Sequence, residues 1–268
     1  PFKLYKWDRD QKIHLRTDSS CFLFNPENVQ EIIFKIIPDE YSQITQLNKG
    51  EIDLIEDVSS EKVQELIENK NVIIGSIKGR NYDYVGWNHI DPTAYSKKEN
   101  KPNRIFASAK TRKALSYAIN RNEIFQSIVG KYGEIYDSPI SPIFKQYFDS
   151  NLTKVEYNPQ LAKNILAEEG WKDNNGDGIL EKNNQKFSFK IYTAAGNSIR
   201  QYVGTIIKNN LKEVGIEAEL MFVERSELLD GMIARKYDAW ISGWSIEIPL
   251  KVDSYWSCNP DKVMLNFS

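Results

Sequence analysis

Three stretches of this sequence combine residue types and spacings that could do chemistry. In DNNGDG (Asp173–Gly178), Asp173, Asn175, Asp177 and Gly178 follow the first half of a calcium-binding loop, where alternate oxygen side chains surround the ion. The second half fails. The position that needs a bidentate glutamate is Asn184, and Glu181 holds only the water-mediated place. Gly- and Asn-rich runs of this kind are common hairpin connections, so a turn is expected and a metal site is not. The second stretch is YDYVGWN (Tyr82–Asn88), whose aromatic and β-branched residues suit a pleated strand. Alternation places Tyr84, Gly86 and Asn88 on one face and Val85 and Trp87 on the other. The third, YDAWISGWSIE (Tyr237–Glu247), reads as a strand followed by an acidic loop. An open α/β sheet forms its crevice beyond the carboxyl ends of its strands, which puts Trp244 and the residues after it where a ligand would sit. Catalytic patterns are lacking: no Ser/His/Asp order, nucleophile elbow, phosphate loop or metal-protease motif occurs. His14 and His89 are the only histidines, which makes an imidazole-built zinc site improbable.

The elements that must position these residues can be read in order. PFKLYKW and KIHLR flank the charged turn DRDQ as a hairpin, and EIIFKII reads as a buried strand ending at Pro38. Asp39 caps a helix over YSQITQLNK that Gly50 stops, and EIDLIED (Glu51–Asp57) follows as a short strand. Another helix, EKVQELIEN, leads to a strand over NVIIGSI (Asn71–Ile77). After YDYVGWN, Ser108 caps a helix over AKTRKALSYAI with Leu115, Ala118 and Ile119 on one face. Asn120 and Glu123 have capping-box spacing for a second helix, which Gly130 ends. The Ser-Pro steps of EIYDSPISPIFKQYFD forbid a long helix and favour an irregular loop. Asn158-Pro159 opens a helix expected to turn Leu161, Ile165 and Leu166 inward. The remainder alternates strand and helix, which implies βαβ units and a largely parallel sheet.

Several of these segments, in this order, resemble one family. KTRKALSYAINRNEI, with Asn88 ahead of it, is similar to the "VRqALsyAIDReeI" region of the family 5 extracellular solute-binding proteins, the oligopeptide-, dipeptide- and nickel-binding receptors of ABC importers. LNKGEIDLIEDV resembles that family's "LksGEiDlid.v", and YNPQLAKNILAEEGW its "yDpekAkkLLaeAGw". PFKLYKW and EIIFKIIPD resemble "GPYkLkeW" and "deIvFKiIPd", while SSCFLFNPEN departs from the pattern between them. YDAWISGWSIE resembles "yDa.l.gWsgDy.DP", although the following "DP" is replaced by IPLKVDS.

The resemblance implies a fold and a set of contacts. The fold would be α/β, a mixed and largely parallel sheet flanked by helices, forming one lobe of a type II periplasmic-binding-protein-like two-lobe fold. Residues 1–268 would make up a single ligand-binding lobe, lobe II. Residues 245–268 would return toward a lobe I that lies outside this sequence, so the chain would be a piece of a protein roughly twice as long. Glu247 stands where peptide-binding members carry a carboxylate for the peptide's ammonium, a charge-assisted bond. Tyr84, Trp87, Asn88, Tyr136 and Trp244 complete the ligand-binding set, with Trp240 as a further aromatic wall. The implied partners are a small peptide, the membrane subunits of an ABC permease and the missing lobe, with no cofactor and no enzymatic role. The implied location is periplasmic or extracellular, on a lipid-anchored protein whose signal segment is not in this sequence. Nickel chelates and oligosaccharides stay open as ligands. Two other readings are a cytoplasmic ligand-sensing lobe of a transcription regulator and a calcium-binding or scaffolding module.

Composition is compatible with all of this. The 268 residues are 41% hydrophobic and 27% charged, with a formal net charge of −2, ordinary values for a globular chain that can bury a sizeable core. That balance gives no reason to expect nucleic-acid binding. EIIFKII is too short and interrupted to cross a bilayer. Cys21 and Cys258 are far apart, and the sequence allows either a long-range disulfide or two thiols.

Overall fold

The computed structural model describes residues 1–130 and 133–257. The chain divides into two compact units, Pro1–Gly75 and Ser76–Ser268, where the sequence reading took residues 1–268 as one lobe.

The first unit is a three-stranded antiparallel sheet with two helices. Strands β1 (Phe2–Asp8) and β2 (Lys12–Thr17) form the expected hairpin, closed by Gln11 N–H donating to the Asp8 carbonyl, and β3 (Glu31–Lys35) pairs with β2. Asp39 caps α1 (Glu40–Asn48) by accepting from the Ser42 amide at 2.7 Å, and Gly50 leaves the helix with φ of 71°. Helix α2 (Ser60–Ile67) follows. Three expectations fail here. Residues 51–57 and 71–77 form no strand, because neither run pairs with another strand among the described residues. The β3 run is also not buried: Ile33, Phe34 and Ile36 are each about half exposed, since a three-stranded sheet has few elements to cover it.

The second unit is built on a four-stranded sheet in the order β4-β9-β7-β8. Strand β4 (Asn81–Trp87) leads through α3 (Pro92–Ser96) to α4 (Ala109–Ala118) and α5 (Arg121–Ile124), which continues into a π-helical turn over Phe125–Val129. Helix α6 (Pro159–Glu168) comes next, then the small ribbon β5 (Glu181–Lys182) and β6 (Gln185–Lys186). The chain then alternates through β7 (Ser188–Ala194), α7 (Ser198–Glu213), β8 (Glu217–Val223), α8 (Arg225–Ile233), β9 (Ala239–Ser245) and α9 (Asp253–Trp256). β8 and β9 each run parallel to β7, and β4 closes the sheet antiparallel to β9, giving the mixed, largely parallel sheet read from the sequence.

Local signals account for most helix ends. Ser108, Asn120 and Asn158 each cap a helix through a side-chain oxygen, on the amides of Thr111, Glu123 and Leu161. The capping box at Asn120 is not reciprocal, because Asn210 of α7 takes the Asn120 amide at 2.9 Å and also donates to Glu123. In α6 Ala162 and Leu166 are buried and Ile165 packs against the core as expected, whereas Leu161 is more than a third exposed.

Helices cover both faces of the sheet. Phe189, Ile191, Ala218, Ala239 and Ile241 pack with α4, α6 and α7 in the main core, joined by Val85 and Trp87. The opposite face carries Trp240, Tyr237 and Ala194 against Leu228 and Met232 of α8, joined by Tyr84 and Trp244. The two-residue alternation of β4 is therefore kept: Tyr84 lies on one side, Val85 and Trp87 on the other.

Candidate ligand-binding site

The pairing of β4 with β9 decides which sequence-expected residues meet. The register sets Tyr82 against Trp244 and Tyr84 against Ser242, while Trp87 meets Ala239. Because the strands are antiparallel, the end of β4 lies beside the start of β9. Asn88 and Trp244 are thus at opposite ends of the pair, about 20 Å apart at strand spacing. Being near the end of a strand does not bring both to one place.

Trp244 and Tyr84 do meet. The indole N–H groups of Trp240 and Trp244 both point at the Tyr84 hydroxyl, at 3.4 and 3.1 Å. Trp256 of α9 donates in the same way to Tyr82 at 3.1 Å, and its ring stands edge-on to Tyr84. Tyr255 lies 5.0 Å from the Trp244 ring. The result is an aromatic cluster whose indole N–H groups are bonded to phenols. Burial pushes the Tyr84 hydroxyl above the usual phenol range, with the two indole donors working against that shift. Tyr82 is pushed up further, again chiefly by burial. Both therefore stay protonated at neutral pH. Tyr82 and Trp256 were not singled out in the sequence. Tyr82 carries a signal that could have found it, since it shares the alternating face of Tyr84.

Trp240 is a correction. It is 1% exposed, and instead of forming a wall it is sealed within this cluster. Gly86 makes room for it, since a Cβ there would lie 2.2 Å from the ring.

Asn88 is wholly buried, and its amide is occupied inside the chain. Its Nδ2 donates to the carbonyls of Tyr237 at 3.0 Å and Arg235 at 3.3 Å, and its Oδ1 accepts from the Ile90 amide at 3.1 Å. Asn103 beside it donates to Asp238 and accepts from the Ile105 and Phe106 amides. Two asparagines thus fasten the β4 exit to the β9 entry. Asp238, half-buried, is pushed above the usual carboxylate range by burial, with Asn103 opposing and Asp91 adding to the shift. Trp87 likewise faces inward, stacked on Phe106 at 5.1 Å and edge-on to Phe189.

Along β4 lies a cavity of about 1020 Å³, bordered by Tyr82, Tyr84 and Trp87, by Tyr136 and its loop, and by Ile124 and Phe125. Tyr136, Tyr84 and Trp87 thus border one space. The Tyr136 hydroxyl is buried and meets no partner at bonding geometry among the described residues, with Ser141 its polar neighbour. Asp83, which borders the cavity, forms a bidentate pair with Arg200 of α7, Nη2 to Oδ1 at 2.7 Å and Nε to Oδ2 at 3.3 Å. The pair passes over Gly243, where a Cβ would be 2.0 Å from Asp83 Oδ1.

Glu247 follows β9 by two residues. The backbone before it is pinned: Ile246 donates to the Arg80 carbonyl at 3.1 Å and accepts from the Arg80 guanidinium at 2.9 Å. Ile246 is buried, whereas Glu247 is exposed and has no ion-pair partner among the described residues. It lies outside the cavity lining, as do Trp244 and Asn88.

The DNNGDG loop closes on itself. Asp173 accepts from the amides of Gly176 and Gly178, and Asp177 accepts from the Ile179 amide and pairs with Lys186. Among the described residues no group of three or more His, Cys, Asp or Glu side chains is placed to hold a metal, and no helix is long and apolar enough to cross a membrane. Cys21 is half-buried; Cys258 and the other residues of 258–268 in the expected returning segment lie outside the described residues.

Comparison with known proteins follows the same lines. The model of the bacterial extracellular solute-binding proteins, family 5, middle region, matches residues 1–263. The oligopeptide-binding protein AppA of Bacillus subtilis is 34% identical over 250 residues, covering 92% of this chain and 43% of that protein. The solved structure of AppA in complex with a nonapeptide superposes with a TM-score of 0.73, covering 100% of this chain and 51% of that one. The nickel-binding periplasmic protein of Escherichia coli is 26% identical over 117 residues, 44% of this chain and 22% of that protein. The chain thus spans about half the length of the relatives it matches, or less.

Proposed function

Since the chain belongs to family 5 of the bacterial extracellular solute-binding proteins, we propose that it is part of an importer receptor that holds a short peptide and passes it to a membrane permease. The observation that carries the peptide reading is Glu247. It is an exposed carboxylate without an ion-pair partner among the described residues, on a backbone pinned by Arg80, and it follows a strand whose Trp244 forms part of the aromatic cluster. A peptide ammonium fits that carboxylate by a charge-assisted bond. The ring faces of Trp244 and Trp256, with Tyr84 and Tyr136, would meet side chains without asking for any particular one. Asn88 and Trp87 act from behind, by holding β4 in place. The 34% identity to a protein named for oligopeptide binding supports the same reading. Hinged closure of a second lobe over the peptide, and a lipid-anchored extracellular location, belong to this proposal.

The test is thermal shift of the full-length protein across a short-peptide library, with a nickel–histidine chelate and oligosaccharides alongside. Stabilisation by peptides that is lost in Glu247→Gln supports both the receptor and the ammonium anchor. Stabilisation that survives the substitution keeps the receptor and removes Glu247 from it. A panel in which only the chelate or a sugar raises the melting temperature refutes the peptide assignment.

A further inference from the structure

Part of the cavity wall is built from chain that has no regular structure of its own. Residues 133–158, between the π-helical turn and α6, form neither helix nor strand. Glu134, Tyr136, Asp137, Ser138 and Val155 of this loop all border the cavity. Without a hydrogen-bonded ladder or a helix, such a segment takes its shape from side-chain tethers and from its own stiffness. Pro139 and Pro142 supply the stiffness by fixing φ, so the stretch from Asp137 to Pro142 has little freedom between its points of attachment.

The tethers differ in strength. Lys78 pairs with Glu134 at 2.9 Å and the Tyr157 hydroxyl donates to Glu213 at 3.1 Å, but these side chains are exposed, and exposed contacts of this kind hold little. Ser141 Oγ donates to the Gly79 carbonyl at 3.0 Å. The remaining tether is Arg121, the first residue of α5. Its Nη2 lies 2.8 Å from Asp137 Oδ1 and also donates to the Val155 carbonyl. Asp137 stands on the outgoing arm of the loop, next to Tyr136, and Val155 stands on the returning arm. One guanidinium therefore ties both arms to the helix, and all three residues border the cavity. The paired side chains are mostly covered, at 32% and 18% exposure, so solvent screens them less than it screens a surface pair. A planar group with five N–H donors is suited to hold two acceptors at once.

We propose that Arg121 is a positioning residue of the ligand site: by holding Asp137 and Val155 it fixes the loop that carries Tyr136 at the cavity. Its charge is matched by Asp137, so it acts through the loop and not as a partner for a ligand anion. This rests on the peptide-receptor reading above and adds which residue sets the shape of the wall that the ligand meets.

The experiment uses the full-length protein with Arg121→Met, Arg121→Lys, Asp137→Asn and the Arg121→Met/Asp137→Asn double substitution. Amide hydrogen exchange over residues 133–158 is followed without ligand. Calorimetric titration then measures affinity for the tightest nonapeptide retained from a random library. Arg121→Met and Asp137→Asn should each speed exchange in the loop. Each should also weaken the peptide about tenfold or more, the scale of a lost hydrogen bond between charged groups. The double variant should bind no more weakly than Arg121→Met alone, because both substitutions remove the same pairing. Arg121→Lys keeps the charge and should recover part of the affinity, a rescue that a purely packing role would not give. Where Arg121→Met does not fold, Asp137→Asn carries the test from the loop side. Loop exchange that is unchanged in the variants overturns the clamp. Faster exchange with unchanged peptide affinity overturns the positioning role and leaves the receptor standing, and so do affinity losses that add in the double variant. A library from which nothing is retained overturns the peptide reading alone, and the loop exchange, which needs no ligand, then decides the clamp.

Discussion

Replacing Asn88 by alanine separates a ligand contact from a structural clamp. The side chain is fully buried and makes three hydrogen bonds, two to the carbonyls of Arg235 and Tyr237 and one from the Ile90 amide. Alanine removes all three and leaves the Tyr237 carbonyl and the Ile90 N–H without this partner. At about 1–1.5 kcal/mol for each bond lost, and with the 3.3 Å bond to Arg235 the weakest, the cost is about 2–4 kcal/mol. For a unit of this size that lowers the melting temperature by about 5–15 °C. Asn88→Asp should do no better, because a carboxylate still accepts from Ile90 but cannot donate to either carbonyl. Urea denaturation followed by near-ultraviolet circular dichroism measures the loss, and calorimetric titration in the native baseline measures peptide affinity. The expected outcome is a large stability loss with affinity changed by less than about threefold, under 1 kcal/mol. A variant as stable as the parent to within about 0.5 kcal/mol, but binding peptide tenfold more weakly, would refute the clamp and restore Asn88 as a contact residue.

Other substitutions probe the same architecture. Gly86→Ala places a Cβ within 2.2–2.5 Å of three Trp240 ring atoms in a packed core, so a loss of about 1–3 kcal/mol is expected, partly relieved by adding Trp240→Phe. A fully stable Gly86→Ala protein would show that the ring has room to move. Asp238 gives a pH dependence. Its folded-state pKa is raised, so the native state binds the proton more readily than the unfolded chain. The carboxyl therefore contributes most at low pH and loses stability as pH rises from its ordinary value of 3.8 through the raised one. Asp238→Asn keeps an acceptor for Asn103 and should remove that decline, giving a more stable protein at neutral pH. Urea midpoints between about pH 4 and 8 test it, and an unchanged slope would exclude Asp238 as its source.

Much of the local structure was legible because it is decided over a few residues. Ser108, Asn120 and Asn158 cap helices through their own side chains, Asp39 does the same for α1, and Gly50 and Gly130 end helices at positive φ. The two-residue alternation along YDYVGWN separated Tyr84 from Val85 and Trp87, and the core clusters on the two faces of the sheet keep that separation. Strand–helix alternation after Phe187 gave the parallel pairings of β7 with β8 and β9.

Pairing partners are not written in a single segment, and there the sequence reading went astray. EIDLIED and NVIIGSI have strand composition, but a strand exists only when a second strand pairs with it, and neither run has one among the described residues. Asn88 and Trp244 each stand near a strand end, and nothing local says that antiparallel pairing puts those ends about 20 Å apart. Nor could composition show that Asn88 would be closed off by two carbonyls about 150 residues away, or that Trp240 would lie buried beneath Tyr84 instead of beside a ligand. The sequence by itself determined the family, the helix boundaries and which face each β4 side chain takes, because those depend on short-range geometry and residue order. Tertiary structure alone decided which of the candidate residues meet and which are sealed in the core, because these depend on the register between distant strands.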